Sequence, residues 1–120
     1  MKNRFIPPIS CFFLISFLSF TTGAFGADVV MSGTGFEPKN IEIKAGETVK
    51  WMNKATLIHT VTSGENCSKD GLFDSAILMP EKMKPEKSVF EWKFETPGVY
   101  KYFCKTHCEN EKMRGSVTVK

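Results

Sequence analysis

The chain has 120 residues, 42% of them hydrophobic and 24% charged, with a formal net charge of +3. That is the size of one domain, and without Lys2 and Arg4 the balance is 14 basic residues against 13 acidic. So small and interleaved a charge excludes an electrostatic nucleic-acid binder, and no Ser-His-Asp set, paired catalytic carboxylates or Gly-rich phosphate loop is visible.

Lys2 and Arg4 precede an apolar run over 9–20 that is too short to span a bilayer comfortably. Ala24 and Gly26 occupy the −3 and −1 positions for cleavage after Gly26. This is the pattern of a secretory signal, with an uncleaved anchor as the alternative. Cys11 does not follow the apolar run, which argues against a lipoprotein site. Residues 1–26 are therefore expected to be removed. Residues 27–120 then form one domain, periplasmic or otherwise exported, with no stable membrane insertion. Three cysteines remain, Cys67, Cys104 and Cys108. An exported address permits a disulfide, and an odd count leaves one thiol over.

Along the rest of the chain the helical period is weak and alternation is common. A short strand is predicted over 28–31. Residues 40–44 alternate with Ile41 and Ile43 on one face, and 48–53 with Val49 and Trp51. Ala45-Gly46-Glu47 between them is a turn signal. A short strand follows over 58–62. Residues 63–87 show no sustained period and read as a long connection, with a short helix or strand near 75–79. Phe90, Trp92 and Phe94 alternate with Glu91, Lys93 and Glu95, until Thr96-Pro97-Gly98 breaks the run. The last strands are predicted over 99–103 and 115–119. Short strands at regular spacing with turns between them point to an all-β sandwich.

Between those last two strands lie Cys104, His107 and Met113, a thiolate, an imidazole and a thioether within ten residues. Two His, one Cys and a weak axial Met describe a blue-copper site. The chain has two histidines, so the fourth ligand is His59. If Cys104 is the metal thiolate, Cys67 and Cys108 are left to pair with each other. A zinc site from Cys67, Cys104, His107 and Cys108 is the formal alternative, and it leaves His59 without a role. C-K-T-H-C is not a haem attachment, whose order is C-x-x-C-H. Met31, Met52, Met79 and Met83 read as core and loop fillers, with Met79 and Met83 open to a secondary copper role. Side chains alternate along a strand, so an inward Cys104 carries Tyr102 and Tyr100 inward. It leaves Lys101 and Phe103 outward, Phe103 as an exposed aromatic and a second electron exit.

The segments Phe36 to Asn53 (F-E-P-K-N-I-E-I-K-A-G-E-T-V-K-W-M-N), H-T-V-T-S-G from His59, Gly71-Leu72-Phe73-Asp74-Ser75 and Y-F-C-K-T-H with Met113-Arg114-Gly115 occur in that order. Together they resemble the cupredoxins of the plastocyanin, pseudoazurin and amicyanin-like type, over nearly all of residues 27–120. The resemblance implies a Greek-key β-sandwich of about eight strands with one copper per chain near one pole, cycling between Cu(I) and Cu(II). By matching position, His59 is the early ligand, Cys104 the strong thiolate, His107 the ligand whose edge reaches the surface and Met113 the axial ligand. Thr106 stands where the family usually carries proline. Met113 lies six residues after His107 rather than three to five, so Glu109 or Glu111 is the alternative axial donor.

The implied job is one-electron transfer by a monomeric, non-enzymatic carrier. Its partners would be redox proteins such as c-type cytochromes or a copper or quinoprotein oxidoreductase. Alternatives are a copper module for delivery or storage, and a red-copper-like redox protein with an open or carboxylate-ligated site. Asn53 and Thr60 are expected to tie the His59 segment to the last loop. His59 and His107 must approach one ion, so their loops meet at one pole. Cys108 follows His107 and Cys67 lies eight residues beyond His59, which supports a Cys67–Cys108 disulfide.

Overall fold

In a computed structural model, residues 25–33 and 35–120 are described. The expected signal over 1–26 lies outside them, apart from its last two residues. Among the described residues nine strands form two sheets: β1 (Phe25–Ser32), β2 (Gly35–Glu37), β3 (Asn40–Ile43), β4 (Thr48–Asn53), β5 (Thr62–Glu65), β6 (Ser68–Asp74), β7 (Val89–Lys93), β8 (Gly98–Phe103) and β9 (Arg114–Val119). One sheet runs β2-β1-β4-β7 and the other β3-β9-β8-β5-β6. The β1–β4 and β3–β9 pairs are parallel and the rest antiparallel. Among the described residues no helix is long and apolar enough to cross a membrane.

Period-2 patterning builds the two inner faces. Val49, Trp51 and Asn53 of β4 are buried, while Thr48, Lys50 and Met52 face out half-covered. In β9, Gly115, Val117 and Val119 are buried. Trp51 joins the sheets, with ring centroids 5.4 Å from Tyr102 and 6.0 Å from Phe73. Such aromatic pairs add to the area they bury.

The connection over 63–87 is not structureless. It carries the β5–β6 hairpin, whose two loop residues, Asn66 and Cys67, have φ of 53° and 61°. Both values suit the tight two-residue turn that matches strand twist. Gly64 is required there, because a Cβ would strike the Ser68 carbonyl. Residues 58–61 are not a continuous strand either: His59 bridges Leu78 alone before β5 begins at Thr62. Near 85–87 the chain makes one 3-10 turn.

Candidate metal centre

Two segments at one end of the sandwich supply the site. His59 precedes β5, and its backbone exchanges hydrogen bonds with Leu78 (N–H to Leu78 O 3.2 Å; Leu78 N–H to His59 O 2.7 Å). Cys104 directly follows β8 and caps the 3-10 turn Lys105–His107, and a second 3-10 turn, Glu111–Met113, leads into β9. The Cys104 amide donates to Met113 O at 3.0 Å, closing the loop's base. One ligand-type atom each from His59, Cys104 and His107 fall within 4.8 Å of one another. Nδ1 of His59 lies 3.7 Å from Cys104 Sγ and Nδ1 of His107 3.5 Å. The imidazole centroids are 5.0 Å apart. Cys104 and His59 are buried, and His107 is half-exposed.

Donor chemistry fits a soft metal. Burial pushes the Cys104 thiol up, but hydrogen bonds from His59, Thr106, the Thr60 amide and His107 outweigh it and bring it down to about 5. That direction favours the thiolate, the form in which a cysteine binds a metal. Nδ1 is the His59 nitrogen turned to the sulfur, while its buried Nε2 has no hydrogen-bond partner. Met113 is fully buried and lines a small cavity of about 30 Å³ with both imidazoles, Leu57 and Asn110. Glu109 and Glu111 are exposed.

Thr60 spans the two segments twice. Its amide donates to Cys104 Sγ at 3.3 Å, and its hydroxyl accepts from the Lys105 amide at 2.8 Å. Asn53 does not reach the last loop, contrary to expectation. Its side chain donates to Leu57 O (2.9 Å) and Leu78 O (3.0 Å) and accepts from the Ala55 amide (3.0 Å). It therefore braces the His59 segment from within, because β4 parity turns it into the core.

Cys67 and Cys108 are joined in a disulfide with Cα atoms 5.4 Å apart, which removes both from the zinc set. Phe103 is the clear correction. It is 2% exposed, with Thr62 of β5 and Arg114 of β9 as its partners directly across the sheet. Parity names a face and not its cover, so Phe103 is no surface exit. Tyr102 is buried as expected, and burial pushes its phenol up to about 12 against a smaller downward pull from the Trp51 indole. Tyr100 is half-buried, with its hydroxyl on Thr96 O at 2.6 Å. Met83 is 68% exposed, so it fills no core.

Two supports of the loop escaped sequence reading. Arg114 donates from Nε to Cys108 O at 2.8 Å. Lys105 pairs with Asp74 at 2.7 Å. Partial burial pushes the Asp74 carboxyl up, but Lys105, the Ala76 amide and Thr62 hold it below its usual value. Neither partner carries a sequence signal of its own.

A family model for copper-binding proteins of the plastocyanin/azurin family matches residues 26–120. The chain belongs to that family. It is 36% identical over 84 residues to a plastocyanin from Scenedesmus fuscus, covering 70% of this chain and 85% of that one. A chloroplastic plastocyanin from Physcomitrium patens is 32% identical over 108 residues, covering 87% of this chain and 64% of the relative's length. Among solved structures, a purple cupredoxin from Nitrosopumilus maritimus superposes with a TM-score of 0.67 at 31% identity, covering 78% of this chain and 99% of that one. As a member of this copper-binding family the chain is an electron carrier and not an enzyme. The delivery, storage and red-copper alternatives are not favoured by these relatives.

Proposed function

We propose that His59, Cys104, His107 and Met113 together hold one copper ion, and that residues 27–120 act as an exported carrier exchanging single electrons with redox proteins through the face around His107. The observation that carries this is the buried Sγ with two imidazole Nδ1 atoms turned toward it. When bound, copper supplies a one-electron couple between Cu(I) and Cu(II). The chain's own residues do the rest. His59 and Cys104 are buried in a hydrogen-bonded frame, which restricts rearrangement between the two oxidation states. Half-exposed His107 brings one ring from the site toward solvent. Leu57, 54% exposed, lines the same cavity and offers an apolar contact beside it. Redox proteins such as c-type cytochromes or a copper or quinoprotein oxidoreductase are the partners such a face suits. The mature protein is monomeric, and cleavage after Gly26 delivers it to the periplasm or an equivalent compartment.

Met113 is the axial ligand in this reading, because it is buried beside both imidazoles while Glu109 and Glu111 face solvent. Met113→Ala should shift the reduction potential and the visible spectrum of the copper-loaded protein. If only Glu109→Ala or Glu111→Ala shifts them, the assignment is wrong. Electron exchange with a redox protein should be saturable and should slow when Leu57→Glu places charge beside His107. Steady turnover of a small molecule by the isolated copper protein contradicts the carrier role.

A further inference from the structure

Thr106 occupies the middle of the turn between Cys104 and His107, and its side chain folds back onto the site. Its Oγ1 lies 3.1 Å from Cys104 Sγ and 2.9 Å from His107 Nδ1. A hydroxyl carries one hydrogen and can donate it to one acceptor at a time. In the ligand reading above, on which this inference rests, the lone pair of His107 Nδ1 belongs to the metal and accepts nothing. The sulfur is then the remaining acceptor of the pair. Two of the turn's amides are committed elsewhere, Lys105 N–H to Thr60 Oγ1 at 2.8 Å and His107 N–H to Cys104 O at 3.2 Å. The Thr60 amide reaches the sulfur from the opposite segment at 3.3 Å. A proline at this position would supply neither an N–H nor a hydroxyl.

We propose that the Thr106 hydroxyl donates a hydrogen bond to the Cys104 thiolate and, acting through that sulfur, raises the reduction potential of the copper site. The direction follows from where the charge sits. With copper bound, the Cys104 sulfur would carry more negative charge in the reduced state than in the oxidised one. A donor aimed at Sγ therefore interacts more strongly with the reduced state. Hydrogen bonding around the cysteine sulfur is one of the levers on a blue-copper potential. Thr106 touches no transferred group itself, so it is a positioning residue with an electronic effect. The same donor lowers the energy of the sulfur lone pairs, which places the thiolate-to-copper absorption at shorter wavelength than without it.

The test compares copper-loaded wild type, Thr106→Val and Thr106→Ser by spectroelectrochemical titration. Valine keeps the shape and removes the hydroxyl, while serine keeps the hydroxyl. Thr106→Val is expected to lower the potential by about a tenfold shift in the Cu(II)/Cu(I) equilibrium, about 59 mV for one electron, and to move the band to longer wavelength. Thr106→Ser is expected to keep both close to wild type. An unchanged potential in Thr106→Val, or a shift of equal size in Thr106→Ser, overturns the proposal. Should Thr106→Val not load, Thr106→Ala is judged by the same criterion. Wild type alone offers a second readout: the copper–sulfur stretching bands should shift in D2O, and identical bands in H2O and D2O overturn the proposal too. A copper-loaded wild type with no thiolate band would instead remove the ligand assignment itself, so the two failures are distinguishable.

Discussion

The His59 segment and the loop over 104–113 face each other across the site, but different forces hold them. His59 is buried and sits on a ladder of core contacts: the bridge to Leu78, with Asn53 fastened to Leu57 and Leu78 beneath it. The loop packs little of itself into the core. Its buried members are Cys104 and Met113, and the rest is half-covered or exposed. It is held instead by cross-links: the Cys67–Cys108 disulfide, Arg114 on Cys108 O, Lys105 on Asp74 and the two contacts of Thr60. One side is thus fixed by packing and the other by a few separable bonds. Rigidity at His59 is inseparable from the stability of the fold, whereas the loop's can be altered link by link.

The largest effect comes from the atom both sides share. Cys104→Ser should abolish the intense visible thiolate-to-copper band, and an unchanged spectrum of the loaded variant would end the ligand assignment. Asn53→Ala attacks the packed side. It strips partners from Leu57 O and the Ala55 amide and one of two from Leu78 O. Buried groups left unpaired cost about 1–3 kcal/mol each, so denaturant unfolding should show a loss of about 2–4 kcal/mol. A change below about 0.5 kcal/mol would mean that this segment is not fixed from the core.

Cys67→Ser with Cys108→Ser attacks the cross-linked side. The bond joins positions 41 residues apart, and its loss should cost about 2–4 kcal/mol in thermal or denaturant unfolding. The copper chromophore should survive, because neither sulfur is within the donor cluster. Loss of the chromophore in that variant would show that the loop's other links do not suffice.

The smallest effect belongs to Asp74. Its folded pKa lies below the ordinary 3.8, so its contribution is fully present above that value. It disappears as pH falls through the lowered folded value. Lys105 and Asp74 side chains are each 33% exposed, so screening limits the pair to about 0.2–1 kcal/mol. Asp74→Asn should remove that increment at pH 7 and leave stability unchanged well below the folded value. An equal loss at both extremes would mean that Asp74 acts through packing rather than charge.

Much of the sandwich was legible in the amino-acid sequence because half-buried strands write their burial as a period of two. The predicted strand over 48–53 coincides with β4, and those over 40–44 and 99–103, with the alternating run over 90–95, overlap β3, β8 and β7 within two residues at each end. The β5–β6 hairpin was not legible. Residues Ser68–Asp74 bury only Phe73 and so carry no alternation, and a cysteine in the left-handed turn position is no turn signal. The donor residues could be named because soft ligands are rare in this chain, with two histidines and three cysteines after residue 26. Cysteine arithmetic likewise singled out the Cys67–Cys108 pair, once Cys104 was assigned to the metal.

Sequence alone determined the residue types, their order and the face each strand turns inward. Those are properties of local period and covalent chemistry. Tertiary structure decided what covers each face and which donors converge. Phe103 points outward by parity and is nevertheless buried, and its cross-strand neighbours, Thr62 and Arg114, come from strands that only the fold brings alongside. Asn53 braces one segment rather than two, because Leu78, 25 residues away, closes over it. Thr106 is an ordinary turn residue until the turn folds its hydroxyl onto the sulfur two residues back. Convergence of this kind depends on distances between remote segments, and no local pattern encodes them.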